Sequence, residues 1–165
     1  MATRTPRAIE MRAAENADQA FMEQLYALTR GDAAHMEGCD ASTGALLLSI
    51  QYRARQGYFE KLYPYADLAI ITEHELPIGR LYVNYSQDEI RIIDMNLLPE
   101  CRNRGIGLGL LRSLQAQGVR MRVPVRVDVL LGSPALRLLQ RCGFVSHGGN
   151  GVYNAMSWQA PGTDQ

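Results

Sequence analysis

Along Ile9-Glu10-Met11-Arg12-Ala13, apolar and polar residues alternate with the period of a half-buried strand. Asn16, followed three residues on by Gln19, has the spacing of a capping box, and Ala20, Phe21, Gln24, Leu25 and Leu28 then recur at helical intervals. A loop is expected over 31–44 and a second helix from Ala45 to Leu62, closed by Tyr63-Pro64 because the residue before proline avoids helical geometry. Three strands of a meander follow, at 68–72, 78–85 and 90–98, with turns at 74–77 and 86–89. Pro99 ends the third, since it cannot donate to a ladder. A helix is predicted over 105–117, with Ile106, Leu110, Leu111 and Leu114 on one stripe. Val123, Val125, Val127 and Val129 alternate with polar residues and mark a strand with one apolar face. Ser133-Pro134 has the form of a helix start, and Gly143 that of its stop. Two closing strands, 144–146 and 152–158, flank Gly148-Gly149-Asn150-Gly151. The order is β-α-α-β-β-β-α-β-α-β-β, an α/β (α+β) arrangement around one sheet, and residues 7–160 are read as a single domain.

The 165 residues are 47% hydrophobic and 21% charged, the balance of a globular domain rather than a disordered chain. The apolar runs are strand-length, too short to span a bilayer, and the first residues lack the apolar stretch of a secretion signal. Cys39, Cys101 and Cys142 are far apart and odd in number, which points to reduced thiols. With His35, His74 and His147 scattered, no metal is expected. These features together lead to the expectation of a cytoplasmic protein. The net charge of zero hides an asymmetry: fifteen of the seventeen acidic residues precede Cys101, whereas eight basic residues and two acidic ones follow from there. The second half is therefore suited to an anion. A nucleic acid is not the expected partner, because the arginines are spread over a strand and two helices without interleaved aromatics.

Leu97-Leu98-Pro99-Glu100-Cys101-Arg102-Asn103-Arg104-Gly105-Ile106-Gly107-Leu108-Gly109 carries a strand into a glycine turn that opens a helix. At such a start the first backbone N–H groups have no partner within the helix, and the helix dipole places positive charge there. Phosphate is the matching ligand. Gly105 and Gly107 would let backbone approach it, with Arg102 and Arg104 adding charge. No Gly-Lys-Ser/Thr is present, which removes a P-loop, and the preceding meander is not the βαβ repeat of a dinucleotide fold. On the strand before the turn, Asp94 and Asn96 alternate with Arg91, Ile93, Met95 and Leu97. A carboxylate in that setting serves either as a base or as a hydrogen-bonded structural group.

Ser133-Pro134-Ala135-Leu136-Arg137-Leu138-Leu139-Gln140-Arg141-Cys142-Gly143-Phe144 resembles the GNAT (general N-acetyltransferase) signature Asn-x-Ala-x-x-Leu-Tyr-x-x-x-Gly-Phe, one strand after the glycine turn. Gly79-Arg80-Leu81-Tyr82-Val83 is similar to the strand that superfamily places before its cofactor strand, and the likeness extends in element order from Ile9 to Trp158. The chain thus resembles a small bacterial-type acetyltransferase, which implies a mixed, mostly antiparallel central sheet flanked by helices. The resemblance also implies acetyl-CoA as the cofactor, coenzyme A as a product, and transfer of acetyl directly to an amine on a small molecule or peptide. The pantetheine arm would pair with the backbone of Met95, Leu97 and Leu98, and the pyrophosphate would rest on Arg102, Asn103, Arg104, Gly105, Ile106, Gly107 and Leu108. The Leu97 N–H would be the oxyanion donor, and Asp94 the candidate base. Tyr52, Tyr58 and Tyr82 are the candidate acceptor-binding residues. Two positions depart from the signature: Ser133 replaces Asn, and Leu139 replaces the Tyr that commonly serves as general acid beside the sulfur. Ser133 and Leu139 are still counted among the cofactor-binding candidates, Leu139 as packing against core or cofactor. The competing reading is an acyl-CoA-binding protein with weak or no catalysis. A monomer or homodimer without membrane attachment is expected.

Overall fold

In the computed structural model, residues 8–30 and 40–162 are described. Seven strands, β1 (Ile9–Ala13), β2 (Asp67–Glu73), β3 (Leu76–Tyr85), β4 (Ile90–Leu97), β5 (Val125–Leu130), β6 (Val145–Gly149) and β7 (Tyr153–Trp158), form one sheet in the order β1-β2-β3-β4-β5-β7-β6. Four helices accompany them: α1 (Gln19–Arg30), α2 (Ala41–Leu62), α3 (Ile106–Met121) and α4 (Ala135–Arg141). The element order is the one the periodicities predict. β1 runs antiparallel to β2, and β7 antiparallel to both β5 and β6, while β4 and β5 are parallel. A parallel pair cannot be closed by a hairpin, so the long connection through α3 is required. Contacts divide the chain into two compact units, one with the described residues of Met1–Leu81 and Met95–Arg102, the other with Tyr82–Asp94 and the described residues of Asn103–Gln165.

In the first unit α1 and α2 pack together, and Met22, Tyr52 and Ile70 form a buried cluster flanked by Ala14, Phe21, Tyr26 and Leu68. The cap before α1 is not the expected Asn16–Gln19 pair. Asn16–Asp18 is a short 3-10 turn, and Asp18 accepts the Glu15 N–H at 2.8 Å. Asp18 was also the better placed acid for Arg12, whose guanidinium grips both its oxygens at 2.7 and 2.8 Å. Helix α2 starts four residues ahead of the expected Ala45, because Asp40 accepts the Thr43 N–H at 2.7 Å and so caps an earlier turn. The remainder of the expected 31–44 loop, residues 31–39, lies outside the described residues. The loop between β2 and β3 is only His74-Glu75, both at positive φ (50° and 66°), so β3 begins at Leu76 rather than after Pro77. Two left-handed residues give the hairpin a turn whose twist matches its strands.

The Arg12–Asp18 bond sets a pH dependence. Hydrogen bonding to Arg12 lowers the Asp18 pKa from 3.8 to about 2. A carboxyl depressed on folding contributes stability that is complete above its unfolded value and disappears as pH falls through the folded one. Unfolding free energy is therefore expected to decline between pH 4 and pH 2, and Asp18→Asn to flatten that limb in urea titrations. Equal slopes in both proteins would show that the pair contributes nothing. Arg12 is half exposed, so the contribution is reduced by solvent screening.

In the second unit α3 and α4 both pack on β5. Helix α3 runs past the expected Gln117 to Met121, where Arg122 turns left-handed (φ 58°). It continues through Gly118 because a side chain there would meet the Val123 carbonyl at 3.0 Å and Val125 at 3.2 Å, so this glycine serves close helix–strand packing. Gln115 donates to the Cys142 carbonyl at 2.7 Å and ties α3 to the end of α4. Gly143 (φ 85°) ends α4 as the sequence led one to expect, but the helix starts at Ala135, one residue late, with Pro134 at the cap position and Ser133 Oγ accepting the Ala135 N–H at 3.2 Å. Strand β6 extends to Gly149, three residues beyond its expected end, with an irregularity between Ser146 and Gly149.

Candidate active site on the fourth strand and the glycine turn

Where β4 and β5 begin, they pair in register through Ile90–Val125, Arg91–Arg126 and Ile92–Val127. Beyond Ile92 the register stops, while β5 continues on its other edge against β7 as far as Leu130–Tyr153. The paired register of the two parallel strands thus ends before Ile93–Asp94.

The far end of β4, within the first unit, has an unusual peptide. A Cβ on Gly79 would fall 2.4 Å from the Asn96 carbonyl oxygen and 2.7 Å from a Leu97 methyl. Only glycine leaves room for that carbonyl to turn over β3, the close backbone approach that glycine in a strand often marks. The peptide bond is trans, so the Leu97 N–H points opposite to the Asn96 oxygen, away from β3. Leu98 N–H donates to the Ile78 carbonyl at 2.8 Å, and by the same planarity the Leu97 carbonyl also faces away from β3. Both backbone groups of Leu97 therefore project from one edge of the strand. Arg102 Nε donates to that carbonyl at 3.0 Å. Sequence reading assigned no role to Gly79 and placed Arg102 with the phosphate turn. The only available signal was a glycine inside a strand pattern, whose function depends on what lies opposite.

In the second unit, Asn103 (φ 57°) and Gly105 (φ 81°) take left-handed conformations and Gly105 caps α3. The first helical bond runs from Gly109 N–H to the Gly105 carbonyl at 3.1 Å, so the N–H groups of Ile106, Gly107 and Leu108 precede any intrahelical acceptor. A Cβ at Gly105 would meet nothing within 4 Å, which leaves this cap open to a ligand. Gly107 differs: its Cβ would lie 3.2 Å from Leu138 of α4, so it also serves helix packing. Arg104 is half-buried. These features fit a pyrophosphate, and the turned-out edge of β4 fits an amide-bearing arm.

The remaining candidates are less uniform. Asp94 is half-buried, between covered residues Ile92 and Ile93 on the one side and the half-buried Met95 on the other. Leu139 is 3% exposed and Ser133 is half-buried. Leu139 is thus a core position of α4, with almost no surface for a ligand. Tyr52 and Tyr82 are also buried; Tyr52 packs beside Tyr26 at 5.7 Å and under the Arg80 guanidinium at 5.8 Å. Of the three tyrosines expected to line the acceptor pocket, Tyr58 alone has an exposed ring, edge-on to Phe59. Among the described residues no His, Cys, Asp or Glu cluster has the form of a metal site, and no helix is long and apolar enough to cross a membrane.

The fold is that of an acetyltransferase family. The profile of the Acetyltransferase (GNAT) family matches residues 47–144, more than half of the sequence, and the chain belongs to that family. Among solved structures, the chain is similar to PaiA N-acetyltransferase from Thermoplasma acidophilum in complex with coenzyme A (13% identity, TM-score 0.68, covering 93% of this chain and 99% of that one). It is similar as well to an acetyltransferase from Thermus thermophilus (15%, TM-score 0.66, 93% and 97%). A third is YncA, a putative acetyltransferase from Salmonella typhimurium with its cofactor acetyl-CoA (17%, TM-score 0.55, 95% and 98%). At these identities the likeness establishes the fold. No curated protein matches the sequence.

Proposed function

We propose that this chain transfers the acetyl group of acetyl-CoA directly to the nitrogen of an amine on a small molecule or peptide. The observation that carries the reading is the Leu97 peptide, turned by the Asn96 carbonyl over Gly79 so that its N–H faces out from β4. An N–H held in that way costs no reorganisation when negative charge develops on a thioester oxygen, and preorganised donors of this kind are a large part of acyl-transfer catalysis. The edge of β4 at Met95 and Leu97 supports the pantetheine arm, while the expected part for Leu98 is given up: its N–H is bonded to Ile78 and its carbonyl to Cys101. The pyrophosphate is held by the N–H groups of Ile106, Gly107 and Leu108, with Asn103, Arg104 and Gly105 shaping the turn. When bound, acetyl-CoA supplies an activated acyl group and a thiolate leaving group.

Asp94 accepts the proton that the attacking nitrogen sheds, directly or through water, while Tyr58 supplies an aromatic surface for the acceptor. Ser133 and Leu139 shape the start and core of α4, and Leu139 contributes packing rather than a proton. That last feature favours one second reading, a protein that binds acyl-CoA without turning it over.

Acetyl-CoA at millimolar concentration is expected to raise the melting temperature, because a ligand that binds only the folded chain stabilises it by mass action. Release of free thiol in the presence of members of an amine panel distinguishes transfer from binding alone. Melting unaffected by acetyl-CoA and by longer acyl-CoAs would overturn the proposal. A melting shift without thiol release from any amine would establish the second reading instead.

A further inference from the structure

Arg102 follows a short 3-10 turn, Pro99–Cys101, and its side chain folds back five residues to the strand it has just left. Its Nε is taken by the Leu97 carbonyl, and among the described residues no carboxylate pairs with the guanidinium. The charge is therefore anchored at one point without being neutralised. It sits on the edge of β4 from which the Leu97 N–H also projects. A group bound to that N–H lies within two hydrogen bonds of the guanidinium, on the order of 6 Å. The same chain carries Leu139, buried and without a proton, where the family signature has its tyrosine.

We propose that Arg102, clamped to the Leu97 carbonyl, provides a fixed positive charge that stabilises the departing sulfur, in place of a proton donor. The inference rests on the acetyl-CoA reading above. In the transfer, a carbon–nitrogen bond forms and the carbon–sulfur bond breaks with its electron pair going to sulfur. The proton shed by nitrogen goes to Asp94 or to water. A guanidinium gives up no proton at working pH, so sulfur leaves as a thiolate beside the cation and is protonated by solvent afterwards. The opposing assignment is Arg102 as a pyrophosphate ligand, and the contact the structure shows for its side chain is the one to the Leu97 carbonyl.

The inference is tested with coenzyme A itself, without an acceptor. The thiol of bound coenzyme A is titrated by its ultraviolet thiolate absorbance in the wild type, Arg102→Gln and Arg102→Lys. An opposite charge within about 4–6 Å shifts a pKa by roughly one to three units, and an exposed cation belongs at the low end. The bound thiol should titrate about one unit below free coenzyme A in the wild type, and the Gln variant should lose that depression. The Lys variant should keep part of it, and the wild-type depression should shrink as salt is raised. Coenzyme A affinity near neutral pH should change by no more than a few-fold. A thiol that titrates alike in wild type and both variants overturns the proposal. So does a loss of affinity without a change in titration, which would make Arg102 a phosphate ligand, or a lowered melting temperature alone, which would make it a strut. If the wild type binds no coenzyme A, the acetyl-CoA reading falls and this inference falls with it, an outcome distinct from the other three.

Discussion

Leu97→Pro is expected to cut turnover by about 10²–10³-fold, the usual cost of deleting one oxyanion donor. Proline removes the N–H and little else that β4 needs. The Leu97 N–H faces away from β3, so no ladder bond of that hairpin is lost. The residue before it, Asn96, is already in a strand, the geometry that proline demands of its predecessor. The β3 contact nearby belongs to Leu98, whose N–H reaches Ile78 and is untouched. Acetyl-CoA should still stabilise the variant against heat, because the glycine turn is intact. The loss should therefore appear in kcat, with acetyl-CoA affinity within about ten-fold of wild type, the behaviour of a group that acts on the transition state. Turnover that survives in a folded Pro variant would move the oxyanion donor elsewhere.

Gly107→Asp should weaken acetyl-CoA binding on the order of 10²-fold or more, whereas Gly107→Ala should leave it within a few-fold. The pair of variants separates packing from charge. A Cβ at this position meets only the end of the Leu138 side chain, at 3.2 Å, and a flexible methyl can yield by a few tenths of an ångström. Alanine is also the better helix former, so the Ala variant should fold. Aspartate adds a negative charge in the first turn of α3, which favours the isolated helix through its dipole and opposes a bound phosphate. At about 4 Å and an effective dielectric near 20, like charges repel by about 4 kcal/mol, and solvent reduces that at an open site. Calorimetric titration with acetyl-CoA at fixed ionic strength measures both variants. An Asp variant with near-native affinity would place the phosphates away from this turn. An Ala variant that loses binding as fully as Asp would show that α4 packing, rather than charge, governs the site.

The two tests reach the site from opposite sides of what the sequence discloses. The glycine turn is legible locally: a strand, two glycines two residues apart and an apolar helical stripe all act over short chain distances, and helix-start N–H groups need no tertiary partner to be exposed. The same holds for the element order, because hydrophobic period depends on which face is buried rather than on what buries it. Gly143 also marked the end of α4 correctly, and Ser133-Pro134 its start to within one residue, since capping is a matter of neighbouring residues.

Caps with competing candidates were less secure. Asn16 and Asp18 both follow Glu15 closely, and Arg12 decided for Asp18 by holding both its oxygens. Gly118 lies just past the helix expected over 105–117, but its proximity to Val123 and Val125 makes it a packing residue inside α3. The tyrosines show the same limit. Aromatic residues on a helix or strand suit a pocket wall and a core equally well, and burial placed Tyr52 and Tyr82 in the latter.

By itself, then, the sequence determined the family, the order of elements and the turn that suits a phosphate, because each is written in neighbouring residues or in a short period. Only the tertiary structure decided which way the Leu97 peptide faces, why residue 79 must be glycine and where the Arg102 side chain goes. Those depend on the Asn96 carbonyl lying over β3 and on an arginine reaching back to a carbonyl, contacts between separate segments that no local pattern encodes.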